Sequence, residues 1–352
     1  MHVNRILFCG LVVLIILLIL PVVSLGKDTS TIVNVMIDVN SFSSPTPDQV
    51  NITHKSLINL TNAIDAKRLN ATYYLSGEAI PVERLYLTYL GESPRRELAM
   101  GGMTANERLE SVSQSKQREL LEKMKKYVKA CHVCGGKTID PVGFKPQSAS
   151  QNGDTYKILH SMGIAYDAGF RAGLLYLPGH ENDTWPYRVE NYNLYAVPVS
   201  SYDLSGDRVY LSDRYIKEEK KLSSSQWYDI LVGKFDESSN NKEPLVVIFD
   251  NLVSGQDTDL LDTYKRFIDY ATSKDATFVT SMELVNMSIA RDSVGIIQDL
   301  NGGSISANNM PSNCTICDTL KNVTIEVAEN DTNATDSGFV KPVAMPKPVF
   351  SE

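Results

Sequence analysis

Length, composition and charge already exclude several classes of protein. The chain has 352 residues, of which 43% are hydrophobic and 22% charged, so it can bury a substantial core, and one large domain with appendages is the expected organisation. The formal net charge is −8 and no cluster of Lys and Arg lies on aromatic-rich strands. Because phosphate contacts need a basic face, this composition argues against nucleic acid as a partner.

The first predicted element is an apolar segment at the amino terminus. Residues 6–25 are uncharged behind Arg5, and a run of roughly 20 apolar residues is long enough to cross a bilayer as a helix. Residues 1–26 are therefore predicted to be a signal peptide or an N-terminal membrane anchor. The run exceeds the ~7–15 residues of a usual signal core, whereas Ser24 and Gly26 offer small residues to a peptidase, so both interpretations stay open. Either one predicts an exported protein, extracellular or anchored facing outside, and the membrane is a partner only if the segment is uncleaved.

Strands and helices are then predicted to alternate along residues 27–290. Apolar runs predict strands at 31–39, 70–77, 97–100, 142–146, 164–168, 244–251 and 276–281. Amphipathic spacing predicts helices at 54–69, 82–90, 104–130, 154–163, 225–235 and 257–274, the third of them starting at a capping box of Thr104 and Glu107. Residues 173–223 show no regular pattern. Such alternation predicts an α/β fold, a parallel sheet closed into a barrel, with functional residues at the carboxyl ends of the strands.

The end of the chain is predicted to be a tail. Residues 291–352 contain two cysteines, are rich in Asn and Thr and then become Pro-spaced. They cannot bury enough apolar surface to order themselves, beyond one strand at 322–328.

Four segments at the predicted strand ends resemble the NodB-homology domain of polysaccharide deacetylases. They are "MIDVN", "ELAMGGMTANERL", "GFKPQSASQNGDTYKILHSMGIAYD" and "LVVIFDN", and the resemblance covers residues 31–285. It implies an irregular (β/α)7 barrel. It also implies an enzyme that removes N- or O-acetyl groups from sugar polymers, hydrolysing C–N or ester bonds with a divalent metal, usually zinc.

The chemistry of that reaction defines what the site needs. A metal that activates water requires about three protein ligands and an open position, and a carboxylate must accept the proton of the water. By the resemblance, Asp38 matches the base, but the positions of the other functional residues carry unrelated side chains: Val39 for the ligand Asp, Gly101 and Ala105 for two His, Lys145 for an Arg, Gln147 for a Pro, and Phe249 for the His that acts as acid. Valine, glycine and alanine cannot bind a metal, and the five histidines form no His-x-x-x-His pair. No metal at the barrel mouth and no cofactor are therefore expected.

Binding residues are predicted at the same mouth. Lys145 and Asp250 are expected either to form an ion pair across it or to be solvated there. Trp185 belongs to a group of aromatic residues that could stack on a sugar or pack in the core: Tyr166, Trp185, Tyr187, Tyr192 and Tyr195.

Cysteines and glycosylation sequons agree with export. Cys131 and Cys134 form one Cys-x-x-Cys pair, and Cys314 and Cys317 form another. Outside the cell these predict disulfides, with a tetrahedral zinc as the alternative, and cross-pairing would pin the tail to the barrel. Asn-x-Ser/Thr sequons, which require an exposed surface outside the cytoplasm, occur at Asn51, Asn59, Asn70, Asn182, Asn286, Asn313, Asn322, Asn330 and Asn333.

Three functional hypotheses follow. The first is an exported cell-surface protein of polysaccharide deacetylase type that is catalytically degenerate and associates with a surface polysaccharide or other glycan. The second is an active hydrolase that removes acetyl groups with an atypical site around Asp38. The third is a structural envelope protein that uses the barrel as a scaffold.

Overall fold

Strands and helices alternate through the part of the chain that the structure describes. The computed structural model describes residues 30–130 and 140–299. The strands are β1 (Ile32–Val39), β2 (Ala71–Leu75), β3 (Arg96–Met100), β4 (Gly143–Phe144), β5 (Tyr166–Arg171), β6 (Tyr187–Arg188), β7 (Tyr195–Val199), β8 (Ser201–Leu204), β9 (Asp207–Tyr210), β10 (Leu245–Asp250) and β11 (Thr277–Phe278). The helices are α1 (Pro47–Ala66), α2 (Ala79–Glu92), α3 (Gln114–Ala130), α4 (Gly153–Ser161), α5 (Asp213–Glu218), α6 (Ser224–Asn241), α7 (Thr258–Ser273) and α8 (Ser281–Asp299).

The main sheet is a row of parallel strands whose ends meet. Its order is β10-β1-β2-β3-β4-β5-β7, with β6 antiparallel on β7 and β11 parallel to β1. Beyond β7, Ser200 N donates to Val246 O at 3.0 Å, and Ile248 N donates to Leu211 O at 2.9 Å. These hydrogen bonds bring the two ends of the row together, as in an irregular (β/α)7 barrel. The predicted fold class is confirmed.

The core lies on both faces of the sheet. Every residue of β2 and of β10 is buried, as expected for parallel strands covered on both sides. Outside the barrel, Phe249 packs against Tyr264 of α7, with ring centroids 4.6 Å apart. Inside it, a buried polar group is satisfied internally, since Tyr166 Oη donates to Glu97 Oε1 at 2.7 Å.

Several predicted boundaries are wrong. Helix α1 begins at Pro47 instead of residue 54, because Thr46 and Gln49 form a capping box. Helix α3 begins at Gln114 instead of Thr104: the Glu107 carboxylate caps the amide of Met103 at 3.1 Å, so the predicted Thr104–Glu107 box does not form. The region 173–223, predicted to be irregular, contains β6 to β9 and α5.

The predicted tail begins inside a helix. Helix α8 runs through residue 290 to Asp299, and its residues Leu284, Val285 and Ser288 are buried. Residues 291–299 of the predicted tail are therefore helical, and the predicted strand at 322–328 lies outside the described residues. Among the helices that the structure describes, none is both long enough and apolar enough to cross a bilayer. Residues 6–25 also lie outside this part of the chain.

Candidate functional site

Asp38 and Lys145 form an ion pair at the carboxyl ends of the strands. Asp38 is near the end of β1, and Lys145 follows β4 directly. Lys145 Nζ donates to Asp38 Oδ2 at 2.8 Å, and the two side chains are only 12% and 14% exposed. The predicted base is therefore held by a cation in a largely buried pair.

Asp250 pairs with an arginine that the sequence analysis did not single out. Asp250 lies beside Asp38 in the β1–β10 register. Its Oδ2 atom accepts hydrogen bonds from Arg214 Nη2 at 2.8 Å, from Arg214 Nε at 3.1 Å and from Asn40 Nδ2 at 2.8 Å. The predicted alternatives for Lys145 and Asp250, a mutual ion pair or solvation, are thus both wrong: each faces a different partner.

Amide side chains join the ends of β1, β4 and β10. Gln147 Nε2 donates to Asn40 Oδ1 at 3.3 Å. Asn40 N donates to Asn251 Oδ1 at 2.8 Å, and Asn251 Nδ2 donates back to Asn40 O at 3.0 Å. Gln147, Asn40 and Asn251 therefore fix the strand ends that carry the two ion pairs.

Burial dominates the electrostatics of the carboxyl groups here. It raises the pKa of Asp38 from its usual value, and the nearby charge of Lys145 offsets only part of this rise. Burial also raises the pKa of Asp167 to about 7. The pKa of Asp213 rises to about 7 through burial and then through the charge of Asp250, although backbone N–H groups donate to the Asp213 carboxylate.

The loop after β3 carries none of the expected metal ligands. A Cβ atom on Gly101 would lie 2.8 Å from Leu75 O, so this position has no room for a side chain. Ala105 is exposed, and its amide donates to Glu78 Oε2 at 3.2 Å. Val39 is fully buried. The loop is thus folded around carboxylates that bind its backbone instead of presenting ligands to the mouth.

This donor set does not fit a divalent cation. Over residues 30–130 and 140–299, no three His, Cys, Asp or Glu side chains are grouped so as to hold a metal ion. Two of the carboxylates at the mouth, Asp38 and Asp250, are already hydrogen-bonded to Lys145 and Arg214.

Phe249, which the resemblance matches to the His that acts as acid, points away from the barrel mouth. The sequence comparison placed Phe249 at the acidic His of the family, but its ring packs outside the barrel between Trp227 and Tyr264. Asp250 faces the mouth instead, because neighbouring side chains of a strand point to opposite faces. A hydrophobic run does not reveal which of its residues face inwards when both faces of the sheet are buried.

The predicted wall of aromatic residues does not form at the mouth. Tyr166 and Tyr187 are buried. Trp185 lies under the guanidinium of Arg291 on α8, 4.6 Å from its ring centroid. Tyr195 begins β7, at the end of the sheet opposite to the carboxyl ends of the strands. The contacts recorded for the described residues do not join Trp185 to the Asp38–Lys145 pair.

Other aromatic residues approach the mouth from the region between β7 and β10. Tyr210 stacks on Tyr215 with ring centroids 4.1 Å apart, and the guanidinium of Arg171 lies 3.8 Å from the centroid of Tyr210. The sequence does carry a signal for them, the alternation of basic and aromatic residues in "DRVYLSDRYIK".

The structure describes only some of the predicted modification sites. Asn51 is exposed, whereas the amide of Asn59 donates to Gly255 O at 3.0 Å and that of Asn70 donates to Glu283 Oε2 at 2.9 Å. Asn182 is exposed, and Asn286 is half-buried. The other predicted residues lie outside the described part of the chain: Cys131, Cys134, Asn313, Cys314, Cys317, Asn322, Asn330 and Asn333.

Comparison with known proteins identifies the fold. No protein-family model and no curated protein matches the chain. A polysaccharide deacetylase structure from Mycobacterium smegmatis is 15% identical and covers 77% of this chain and 94% of its own, with a TM-score of 0.58. The allantoinase Puue is 13% identical, covering 74% and 90%, with a TM-score of 0.57. A polysaccharide deacetylase structure from Pseudomonas aeruginosa is 12% identical, covering 73% and 89%, also with a TM-score of 0.57.

Proposed function

The chain has the fold of the polysaccharide deacetylases, and we propose that it is an exported cell-surface protein that binds a glycan at the barrel mouth without deacetylating it. The observation that carries the proposal is the 2.8 Å ion pair between Lys145 and Asp38. It occupies the carboxylate that would have to accept a proton.

Deacetylation would demand more than this mouth provides. Water attacks an acetyl group rapidly only when it is activated, and general-base catalysis by one carboxylate contributes typically about 10²–10⁴-fold. Asp38 would have to act while hydrogen-bonded to an ammonium group. Gly101 and Ala105 stand where the family pattern has two metal-binding His, and neither residue has a side chain that can bind a metal.

Binding needs less, and the mouth supplies it. Sugar hydroxyls are recognised by fixed hydrogen-bonding groups, and Asn40, Gln147, Lys145 and Arg214 hold such groups at the strand ends. The hydrogen bonds from Gln147 to Asn40, and from the two cations to Asp38 and Asp250, reduce the conformational entropy that a ligand would otherwise have to remove.

One observation favours the second hypothesis, an active hydrolase. Burial raises the pKa of Asp38, and a raised pKa brings a carboxylate closer to the range of an effective general base. In that case the Lys145 ammonium would orient the carboxylate, and a water molecule would have to reach Asp38 beside it.

Acetate release combined with glycan binding separates the hypotheses. The purified protein would be incubated with acetylated chitooligosaccharides and peptidoglycan, and its binding measured on a panel of cell-surface polysaccharides. We expect binding to a glycan with no acetate released. Acetate release that Asp38→Asn abolishes would establish the hydrolase, whereas failure to bind any glycan would favour the envelope scaffold.

A further inference from the structure

A stacked arginine lies beside the two ion pairs of the mouth. Arg171 is the last residue of β5, and its guanidinium lies 3.8 Å from the ring centroid of Tyr210. The same ring stacks on Tyr215, at a centroid distance of 4.1 Å. The guanidinium therefore lies against an aromatic pair, and its contact with Tyr210 favours a stacked position.

Strand geometry directs Arg171 towards the mouth. The preceding Phe170 packs outwards against Tyr156 of α4, with ring centroids 5.9 Å apart. Successive side chains of a strand point to opposite faces, so Arg171 points to the barrel side. Burial raises the pKa of Tyr210 to about 12, and the charges of Glu219 and then of Asp38 add to this rise.

Arg171 is a cation at the mouth that takes part in no ion pair within the described part of the chain. Lys145 faces Asp38, and Arg214 faces both Asp250 and Glu218. No described carboxylate forms an ion pair with Arg171, and its one recorded side-chain contact is with Tyr210. A guanidinium that stacks through its flat face keeps its N–H edge available, and that edge matches a carboxylate with two parallel hydrogen bonds.

We propose that Arg171 binds the carboxylate of an acidic sugar residue, such as a uronate, in the glycan held at the barrel mouth. This inference rests on the proposed function, since it names the class of glycan that the same site selects. A planar carboxylate fits the guanidinium edge, and Asp38 and Asp250 do not repel it strongly because each is paired with a cation.

The test compares two oligosaccharides that differ by one negative charge per sugar residue. Oligogalacturonate and its fully methyl-esterified form share the same rings and linkages, but the ester removes the negative charge. We expect the purified full chain to bind the acid form with a Kd at least about tenfold lower than that of the ester, as for a charge-assisted hydrogen bond. The difference should shrink at high salt if the contact is exposed enough to be screened. A sulfated oligosaccharide, compared in parallel, tests whether the site prefers carboxylate to other anions.

The protein variants include a matched control. Arg171→Gln removes the mouth cation and should raise the Kd for oligogalacturonate at least about tenfold, with no change for the ester. Arg266→Gln removes a guanidinium that stacks in the same way, 4.0 Å from the ring centroid of Tyr228 on the helical exterior, so it changes the net charge equally and should leave both Kd values unchanged. Arg171→Lys keeps the charge but loses the planar fork and should give an intermediate Kd.

Four outcomes would overturn the inference. Equal affinity for the acid and the ester would remove it while leaving the proposed glycan binding in place, and a preference for sulfate over carboxylate would do the same. If Arg171→Gln and Arg266→Gln weaken the binding of oligogalacturonate equally, the affinity depends on the net charge of the protein and not on Arg171. Absence of binding to any glycan, acidic or neutral, would overturn the proposed function as well. If Arg171→Gln fails to fold by circular dichroism, the comparison of acid with ester and the Arg171→Lys variant still decide.

Discussion

The pairing of Asp38 with Lys145 is the residue-scale feature that most changes the chemistry of the mouth. Both side chains are more than four-fifths buried, so each charge depends on the other for its solvation. Removing one partner of such a pair leaves an uncompensated buried charge, which costs far more than losing a pair on the surface.

Lys145→Met is therefore expected to destabilise the protein by about 3–5 kcal/mol. The control is Lys116→Met, because Lys116 pairs with Glu119 at 2.7 Å with both side chains about half exposed or more, and such pairs contribute only about 0–1 kcal/mol. Urea unfolding of both variants measures the difference. The double variant Asp38→Asn with Lys145→Met should regain much of the loss, and a loss as small as that of Lys116→Met would mean that the buried charge is solvated in another way.

Asp167 should make stability depend on pH. Its pKa of about 7 in the folded protein lies above the ordinary 3.8. Between these two pH values the folded protein holds a proton that the unfolded chain has lost, so the free energy of unfolding falls as the pH rises, by at most about 1.4 kcal/mol per pH unit.

Asp167→Asn should remove that contribution. Asp213 also has a pKa of about 7 and remains in both proteins, so the difference between wild type and variant isolates Asp167. Guanidinium unfolding at several pH values between 4 and 7 would show wild type losing stability relative to the variant as the pH rises. If the free energies of unfolding of wild type and variant change equally with pH, Asp167 does not hold its proton over this range.

At the scale of elements, the segment between β3 and α3 is where the chain departs most from the deacetylase pattern that its sequence resembles. The carboxylates of Glu107 and Glu78 cap the amides of Met103 and Ala105, which keeps residues 101–108 out of the helix. The spacing of Thr104 and Glu107 predicts a capping box, in which Glu107 would accept from the amide of Thr104. In the structure Glu107 accepts from the amide of Met103 instead. Local sequence does not show which of these two amides the carboxylate binds.

Restoring histidines at this loop should have unequal effects. Gly101→His must move the backbone of β2, since even a Cβ would lie 2.8 Å from Leu75 O, and overpacking of this kind costs about 1–3 kcal/mol. Ala105→His is exposed and should change stability by less than about 0.5 kcal/mol. Chemical unfolding measures both variants.

The double variant extends this test to metal binding. Gly101→His with Ala105→His should not bind zinc tightly by calorimetry, because Val39 supplies no third ligand and Lys145 still occupies Asp38. Equal stability of the two single variants, or tight zinc binding by the double one, would show that this segment adapts more readily than its packing indicates.

At the scale of the whole molecule, α8 is part of the barrel. Ser281 Oγ accepts a hydrogen bond from Tyr74 Oη at 3.0 Å, and Ser288 Oγ donates to Pro186 O at 2.6 Å. Leu284 and Val285 are fully buried. The helix therefore covers apolar surface that would otherwise face water.

Shortening the chain tests this assignment. A chain that ends at residue 299 should keep its cooperative thermal unfolding. One that ends at residue 280 should be insoluble or lose its sharp transition, because it lacks the side chains of α8 that reach the core. Both lack residues 300–352, so the comparison depends on α8 alone. Equal transitions for the two chains would mean that α8 is not needed for the barrel.

Disulfides that join the tail to the barrel through the two Cys-x-x-Cys pairs remain a prediction, with a zinc site as the alternative. Peptide mapping of unreduced protein distinguishes disulfides from zinc, because only a zinc site releases its thiols to a chelator.

Outside residues 173–223 and 281–299, the sequence alone determined the order of strands and helices, because near-continuous apolar runs separated by amphipathic segments favour a parallel sheet covered by helices. The resemblance to the deacetylase pattern also singled out Asp38 and Lys145, and Asp250 was expected beside them because parallel strands bring their carboxyl ends together. Only the tertiary structure decided which cation faces which carboxylate, that Phe249 points outwards and Asp250 inwards, and that Arg171 lies on Tyr210. These depend on contacts between residues far apart in the chain and on the face that each strand turns to the barrel, and a strand that is apolar on both faces carries no pattern that reveals it.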